Sequence, residues 1–97
     1  MATAIHVVCR DLKNTKNRDD GLVESGFWVV SPKHRQSVTR IYLHQRKSEE
    51  SYCQGNVVGI HLVIVDGKSR TVFIIHADDH SKEWVGGGSG EKGYEYN

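Results

Sequence analysis

The stretch Val57-Val58-Gly59-Ile60-His61-Leu62-Val63-Ile64-Val65-Asp66-Gly67-Lys68-Ser69-Arg70-Thr71-Val72-Phe73-Ile74-Ile75 decides the fold class. Two runs rich in β-branched residues flank an Asp-Gly pair, and Asp-Gly suits the tight turn in which both central residues take positive φ. The stretch reads as a β-hairpin. Upstream, Ser37–Gln45 alternates: Val38, Arg40, Tyr42 and His44 share one face, and Thr39, Ile41, Leu43 and Gln45 share the other. A period of two is that of a strand, and the Ile41/Leu43 face is its natural core side.

Further out, Ile5–Cys9 is a short β-branched run, long enough for a strand and too short for a helix. Gly26–Val30 reads as a strand stopped by Ser31-Pro32, because proline brings no N–H to a ladder. Asp11–Gly21 and Arg46–Gly55 are polar and read as connections. Gly93–Tyr96 reads as a last short strand, while Gly86-Gly87-Gly88-Ser89-Gly90 reads as turned or flexible, and 86–97 as a glycine-rich tail. Lys33–Arg40 and Asp78–Trp84 each have room for one helical turn, the second opened by aspartates that suit an N-cap. The expectation is an all-β domain with one or two short helical turns: five or six mostly antiparallel strands in a small curled sheet or closed barrel.

The chain of 97 residues fits one domain, 1–97, and its composition, 37% hydrophobic and 26% charged, is that of an ordinary globular protein. Its apolar runs fall short of the roughly 20 residues a membrane span needs. The first residues lack a basic segment followed by an apolar one, so a cytoplasmic setting is expected, with Cys9 and Cys53 as free packing thiols. No P-loop, dinucleotide fingerprint, HExxH, GxSxG or EF-hand occurs, and no cofactor or catalytic residue is assigned. His76 and His80 are four apart, but with one in a strand and one in a turn they need not converge, and no metal site is assigned.

Charge is uneven. Ser25–Ser48 carries Lys33, Arg35, Arg40, Arg46 and Lys47 with no acid, whereas Ala77–Asn97 carries Asp78, Asp79, Glu83, Glu91 and Glu95 against Lys82 and Lys92. This pattern suits either an anion bound at the basic middle or a tail that folds back to neutralise it. The richest constellation is Arg40-x-Tyr42-x-His44, followed by Lys47 and Ser51-Tyr52, with Trp28 on a neighbouring strand. Arg40 and Lys47 suit a phosphate, Trp28, Tyr42 and Tyr52 suit a flat ring, and His44 adds a hydrogen bond. These residues point to a binding module for a nucleotide, a modified base or single-stranded nucleic acid. The alternative is a non-enzymatic interaction or homodimerising protein, of the kind carried by bacterial mobile elements, docking through Trp84, Tyr94 and Tyr96. A small hydrolase using His44 or His61 is a third class.

Gly26-Phe27-Trp28-Val29-Val30-Ser31, Arg40-Ile41-Tyr42-Leu43-His44-Gln45 and Gln54-Gly55-Asn56-Val57-Val58-Gly59-Ile60 together resemble the PUA-like superfamily of small β-barrels, which includes EVE and ASCH domains. The resemblance covers Gly26 to about Ile75 and implies a barrel that binds RNA or modified bases. The spacing Leu43-His44-x-x-Lys47-x-x-x-Ser51-Tyr52-x-x-Gly55-x-Val57-Val58 is also similar to one in short bacterial proteins of unknown role. The resemblance implies no catalytic residue.

Overall fold

In the computed structural model, which describes residues 2–86 and 90–96, Asp66 and Gly67 take positive φ values of 51° and 77°. That is the two-residue turn expected of Asp-Gly. It joins the two longest strands in a series of seven: β1 (Ala2–Val8), β2 (Thr15–Asn17), β3 (Val23–Trp28), β4 (Arg40–His44), β5 (Cys53–Val65), β6 (Lys68–Asp78) and β7 (Lys92–Tyr96). The one α-helix among the described residues, α1 (Pro32–Ser37), starts where Ser31 accepts a hydrogen bond from the His34 N–H through its side chain and Pro32 occupies the first turn.

The strands form one sheet in the order β2-β3-β6-β5-β4-β1-β7. All neighbours are antiparallel except β1 and β4, which run parallel with His6 opposite Tyr42 and Val8 opposite His44. The sheet is curled but open. Lys92 of β7 donates to the Val29 carbonyl beyond β3, and the Gly26 N–H donates to Asn14 O, yet no ladder joins the outermost strands β2 and β7. Of the two expected architectures, the curled sheet is the one observed. The seventh strand is β2, whose three polar residues lie inside the stretch expected to be a loop.

The core lies on one side of the sheet. Ile5, Val7, Ile41, Leu43, Phe73 and Ile75 are fully buried there, with Trp28, Val57, Ile60 and Tyr94 packed around them. Each such aliphatic or aromatic side chain contributes roughly 1.5–3 kcal/mol of burial free energy. The other side, expected to face a ligand or solvent, is covered. His6 and His44 are 0% exposed and Tyr42 is 8% exposed. What covers them is the segment after β6.

Candidate functional site

From Asp79 to Gly86 the chain has neither helix nor strand and crosses the polar side of the sheet as a strap. The helical turn expected over Asp78–Trp84 does not form. Asp78 ends β6, and its carboxylate is committed to Arg40, at 2.7 Å through each oxygen, and to the His80 N–H at 3.0 Å. Ser51 pins the strap in place: its N–H donates to Lys82 O at 2.9 Å, and its hydroxyl accepts from the Lys82 N–H at 3.1 Å. Gly93 lets the strap lie close. A Cβ there would stand 2.3 Å from Val85 O, 2.9 Å from Gly86 Cα and 3.2 Å from the Trp84 ring, closer than real Cβ atoms tolerate for the first two.

Under the strap, three contacts run end to end. His44 Nδ1 meets Glu49 O at 2.9 Å, His44 Nε2 meets His6 Nδ1 at 2.8 Å, and His6 Nε2 meets Glu95 Oε2 at 2.7 Å. Lys82 Nζ donates to the other Glu95 oxygen at 2.6 Å. The His6 ring stacks on Tyr42 with centroids 4.5 Å apart, and Trp84 stands edge-on to both imidazoles, 5.9 Å from His6 and 5.1 Å from His44. Lys47 Nζ lies 5.4 Å from the centre of the Trp84 ring, a cation–π contact.

Burial pushes both imidazoles below their ordinary pKa. For His6, hydrogen bonding to Glu95 opposes that shift; for His44, the Glu49 carbonyl does. Burial also works to raise the Glu95 carboxyl, but Lys82 and His6 outweigh it and hold the group below its usual range. The Arg40 guanidinium keeps Asp78 well below the carboxylate range, and Asp78 in turn raises Arg40.

The seven residues expected to form a ligand surface do not share one. Arg40 is saturated internally: besides Asp78 it donates to Tyr42 OH at 2.8 Å, Asn56 Oδ1 at 3.1 Å and His80 O at 3.1 Å. Tyr42 and His44 are beneath the strap, and the buried Ser51 donates to Gln54 Oε1 at 2.7 Å. Trp28 packs against the core on the far side of the sheet and donates to Ser25 Oγ at 3.1 Å. Tyr52 donates to the Cys9 carbonyl, and Lys47 covers Trp84. The stacking role expected of Tyr42 and the hydrogen bond expected of His44 are therefore spent inside the protein. The acidic tail has folded back on the basic middle, with Asp78 on Arg40 as the clearest instance.

The expected docking strip is also dispersed. Trp84 faces inward, Tyr94 stacks on His34 at 4.3 Å, and Tyr96 alone of the three is exposed, at 64%. His76 and His80 do not converge on a third ligand, and no group of three or more His, Cys, Asp or Glu side chains suited to a metal occurs among the described residues. Most of the glycine run expected to turn, Gly87, Gly88 and Ser89, lies outside the described residues. No helix of the described residues is long and apolar enough to cross a membrane.

His6 interrupts the β-branched run of β1, a setting that suits a hydrogen-bonded core or rim residue, and it is buried and hydrogen-bonded; what sequence reasoning missed is that Glu95 and Lys82 join it. Sequence reasoning also missed the free edge of the long hairpin. Strand β4 pairs with β5 only from Cys53 to Asn56, so Val58–Val65 is bonded to β6 on one side and to no backbone on the other among the described residues. Val58, Leu62 and Ile64 are 57%, 52% and 72% exposed there. Compared with family models, curated proteins and solved structures, the chain matches none.

Proposed function

We propose that this chain is a non-enzymatic interaction protein that pairs with a second copy of itself through the free edge of β5. The observation that carries the reading is the Val58–Val65 edge, unpaired among the described residues, with six aliphatic residues of eight and no Asp, Glu, Lys or Arg. A strand edge exposes N–H and C=O groups that seek a partner, and soluble proteins guard such edges with lysine, proline, bulges or a covering segment. Val58–Val65 contains no lysine and no proline. Its bulge lies at the Val57–Gly59 end and leaves the rest of the edge regular.

A second copy is the occupant that the charge pattern favours. Antiparallel pairing about a two-fold axis sets this segment against itself, and a segment without Asp, Glu, Lys or Arg brings no carboxylate, ammonium or guanidinium against its like in any register. At about 3.4 Å per residue the edge is about 27 Å long, and with a sheet thickness of about 10 Å it covers about 270 Å² on each copy. The resulting total of about 540 Å² falls below the roughly 1,200–2,000 Å² of a standard stable interface. The dimer is accordingly weak and concentration-dependent. Nothing in the arrangement of Arg40, Tyr42, His44 and Lys47 favours nucleotide binding over this reading.

Sedimentation velocity over a concentration series tests it, with the Leu62→Lys/Ile64→Lys variant as comparison. The wild-type protein is expected to shift from monomer towards dimer as concentration rises, and the variant to stay monomeric with an unchanged circular dichroism spectrum. A wild-type protein that is monomeric throughout, or a variant that dimerises equally well, overturns the reading. A monomer whose melting temperature is raised by oligonucleotides would instead return the assignment to a nucleic-acid binder.

A further inference from the structure

The Glu49–His44–His6–Glu95 chain has a proton count fixed by its geometry. Its three contacts, at 2.9, 2.8 and 2.7 Å, are hydrogen-bond distances, so each needs one proton between its two heavy atoms. Both ends are acceptors: the Glu49 group is a backbone carbonyl, and an ionised carboxylate has no proton to give. Two neutral imidazoles carry one N–H each and so supply two protons for three contacts. If His44 donates to Glu49 O, its Nε2 must accept from His6 Nδ1, and His6 Nε2 then faces Glu95 with a lone pair. Every other tautomer moves the deficit to another contact without removing it.

We propose that this chain closes only by taking up one proton from solvent beyond those of two neutral imidazoles and an ionised Glu95, so that the seating of Glu95 of β7 beneath the strap is controlled by pH. The extra proton sits between His6 Nε2 and Glu95 Oε2. An imidazolium facing a carboxylate and a neutral imidazole facing a carboxylic acid satisfy the same count.

The surroundings confine the effect to this chain. Lys82 neutralises the outer Glu95 oxygen, and Tyr42 stacks on His6 while its phenol takes the Arg40 N–H. Arg40 is itself neutralised by Asp78, and Lys47 lies over Trp84. With the proton gone, one of the three contacts is left lone pair to lone pair, and in the proposed switch the break falls at His6–Glu95, the contact at the edge of the sheet. Glu95 belongs to the outermost strand and is bonded to Lys82, whose side chain is 46% exposed, so the pair can move outward together. Burial keeps His6 below its ordinary value of about 6.5, which places opening on the acid side of neutrality. With Glu95 swung out, His6 stays buried but loses its carboxylate, so the open form holds the proton less well still. That difference couples closure to proton uptake.

Histidine ¹⁵N NMR from about pH 5 to about pH 8 tests the count directly. At the acid end, the imidazoles of His6 and His44 together with the Glu95 carboxyl are expected to hold three protons. As pH rises, one is lost, and the Glu95 side-chain and Lys92–Tyr96 amide signals move with the same midpoint. Glu95→Gln separates this from a purely structural role. Its amide N–H can donate to His6 Nε2 while its oxygen still accepts from Lys82, so the chain closes with two neutral imidazoles and the titration disappears. Two protons and unmoved β7 signals across the whole range overturn the proposal, as does a Glu95→Gln protein that titrates like wild type. The wild-type count alone decides the matter if the variant does not fold.

Discussion

Removing the Arg40 side chain distinguishes a structural residue from a ligand-facing one. Were Arg40 poised for a phosphate, Arg40→Ala would leave stability untouched. In this fold it breaks a two-pronged ion pair with Asp78 and strips donors from Tyr42 OH, Asn56 and the His80 carbonyl. The Arg40 and Asp78 side chains are 17% and 23% exposed, between an open surface pair and a fully buried one. Exposed pairs contribute up to about 1 kcal/mol, whereas breaking a buried pair costs about 3–5 kcal/mol. An intermediate loss of about 2 kcal/mol is expected, which lowers Tm by about 8–16 °C in a domain of this size. Thermal denaturation at pH 7 measures it, and Arg40→Lys, which keeps the charge but not the fork, is expected to recover part of the loss. The pH dependence supplies a second check. Because the folded-state Asp78 carboxyl is held down by Arg40, its stabilisation is present above the unfolded carboxylate range near about 4 and is lost progressively as pH falls from there towards the much lower folded-state value. The gap between wild type and Arg40→Ala should therefore narrow in acid. A Tm within about 2 °C of wild type at pH 7, less than about 0.5 kcal/mol, would refute the reasoning.

Two further outcomes follow from the covered polar side. Gly93→Ala places a Cβ 2.3 Å from Val85 O and should lift the strap; tryptophan fluorescence, read in a Trp28→Phe background to isolate Trp84, is expected to shift to the red as the ring gains water. An unshifted spectrum would mean that the strap does not rest on β7. Buried His44 has its pKa lowered by desolvation, so its neutral form stabilises the folded state, and this contribution is lost as pH falls below the ordinary imidazole range. Denaturant midpoints should accordingly decline less steeply below about pH 6 in His44→Phe, if that variant folds, than in wild type; a parallel decline in the two proteins would remove His44 as a cause.

The parts of the fold that sequence made legible are those determined by neighbouring residues. Asp66-Gly67 sets its own turn, the alternation of Ile41 and Leu43 marks the core side of β4, and Ser31-Pro32 begins α1, although β3 ends earlier, at Trp28. The opposite side of β4 was legible only as a row of polar residues, and a row of Arg40, Tyr42 and His44 looks the same whether it meets a ligand or more protein. What decided between them lies far away in sequence: His6 is 38 residues from His44, and Glu95 is 89 residues from His6. Neither the parallel pairing of β1 with β4 nor the return of residues 79–86 leaves a local periodic trace, because parallel neighbours are brought together by long connections and the strap has no regular structure. The three-residue β2 escaped for a related reason: a short polar edge strand has no buried face to pattern it.

The covered polar side also explains how so few residues sustain seven strands. The core occupies one side of the sheet, and a sheet with its other side in water would leave the Tyr42 and Trp84 rings exposed. The acidic tail covers that side with groups that each find a partner: Asp78 takes Arg40, Glu95 takes His6 and Lys82, and no buried side-chain nitrogen or oxygen among the described residues is left unbonded. Such satisfaction is costly to disturb, since an orphaned buried polar group costs about 1–3 kcal/mol. Against that background the bare edge of β5 stands apart. A chain that partners its polar groups so fully on one side of the sheet leaves, among the described residues, the outer side of Val58–Val65 unbonded and Val58, Leu62 and Ile64 exposed. The proposed pairing with a second copy would satisfy that edge.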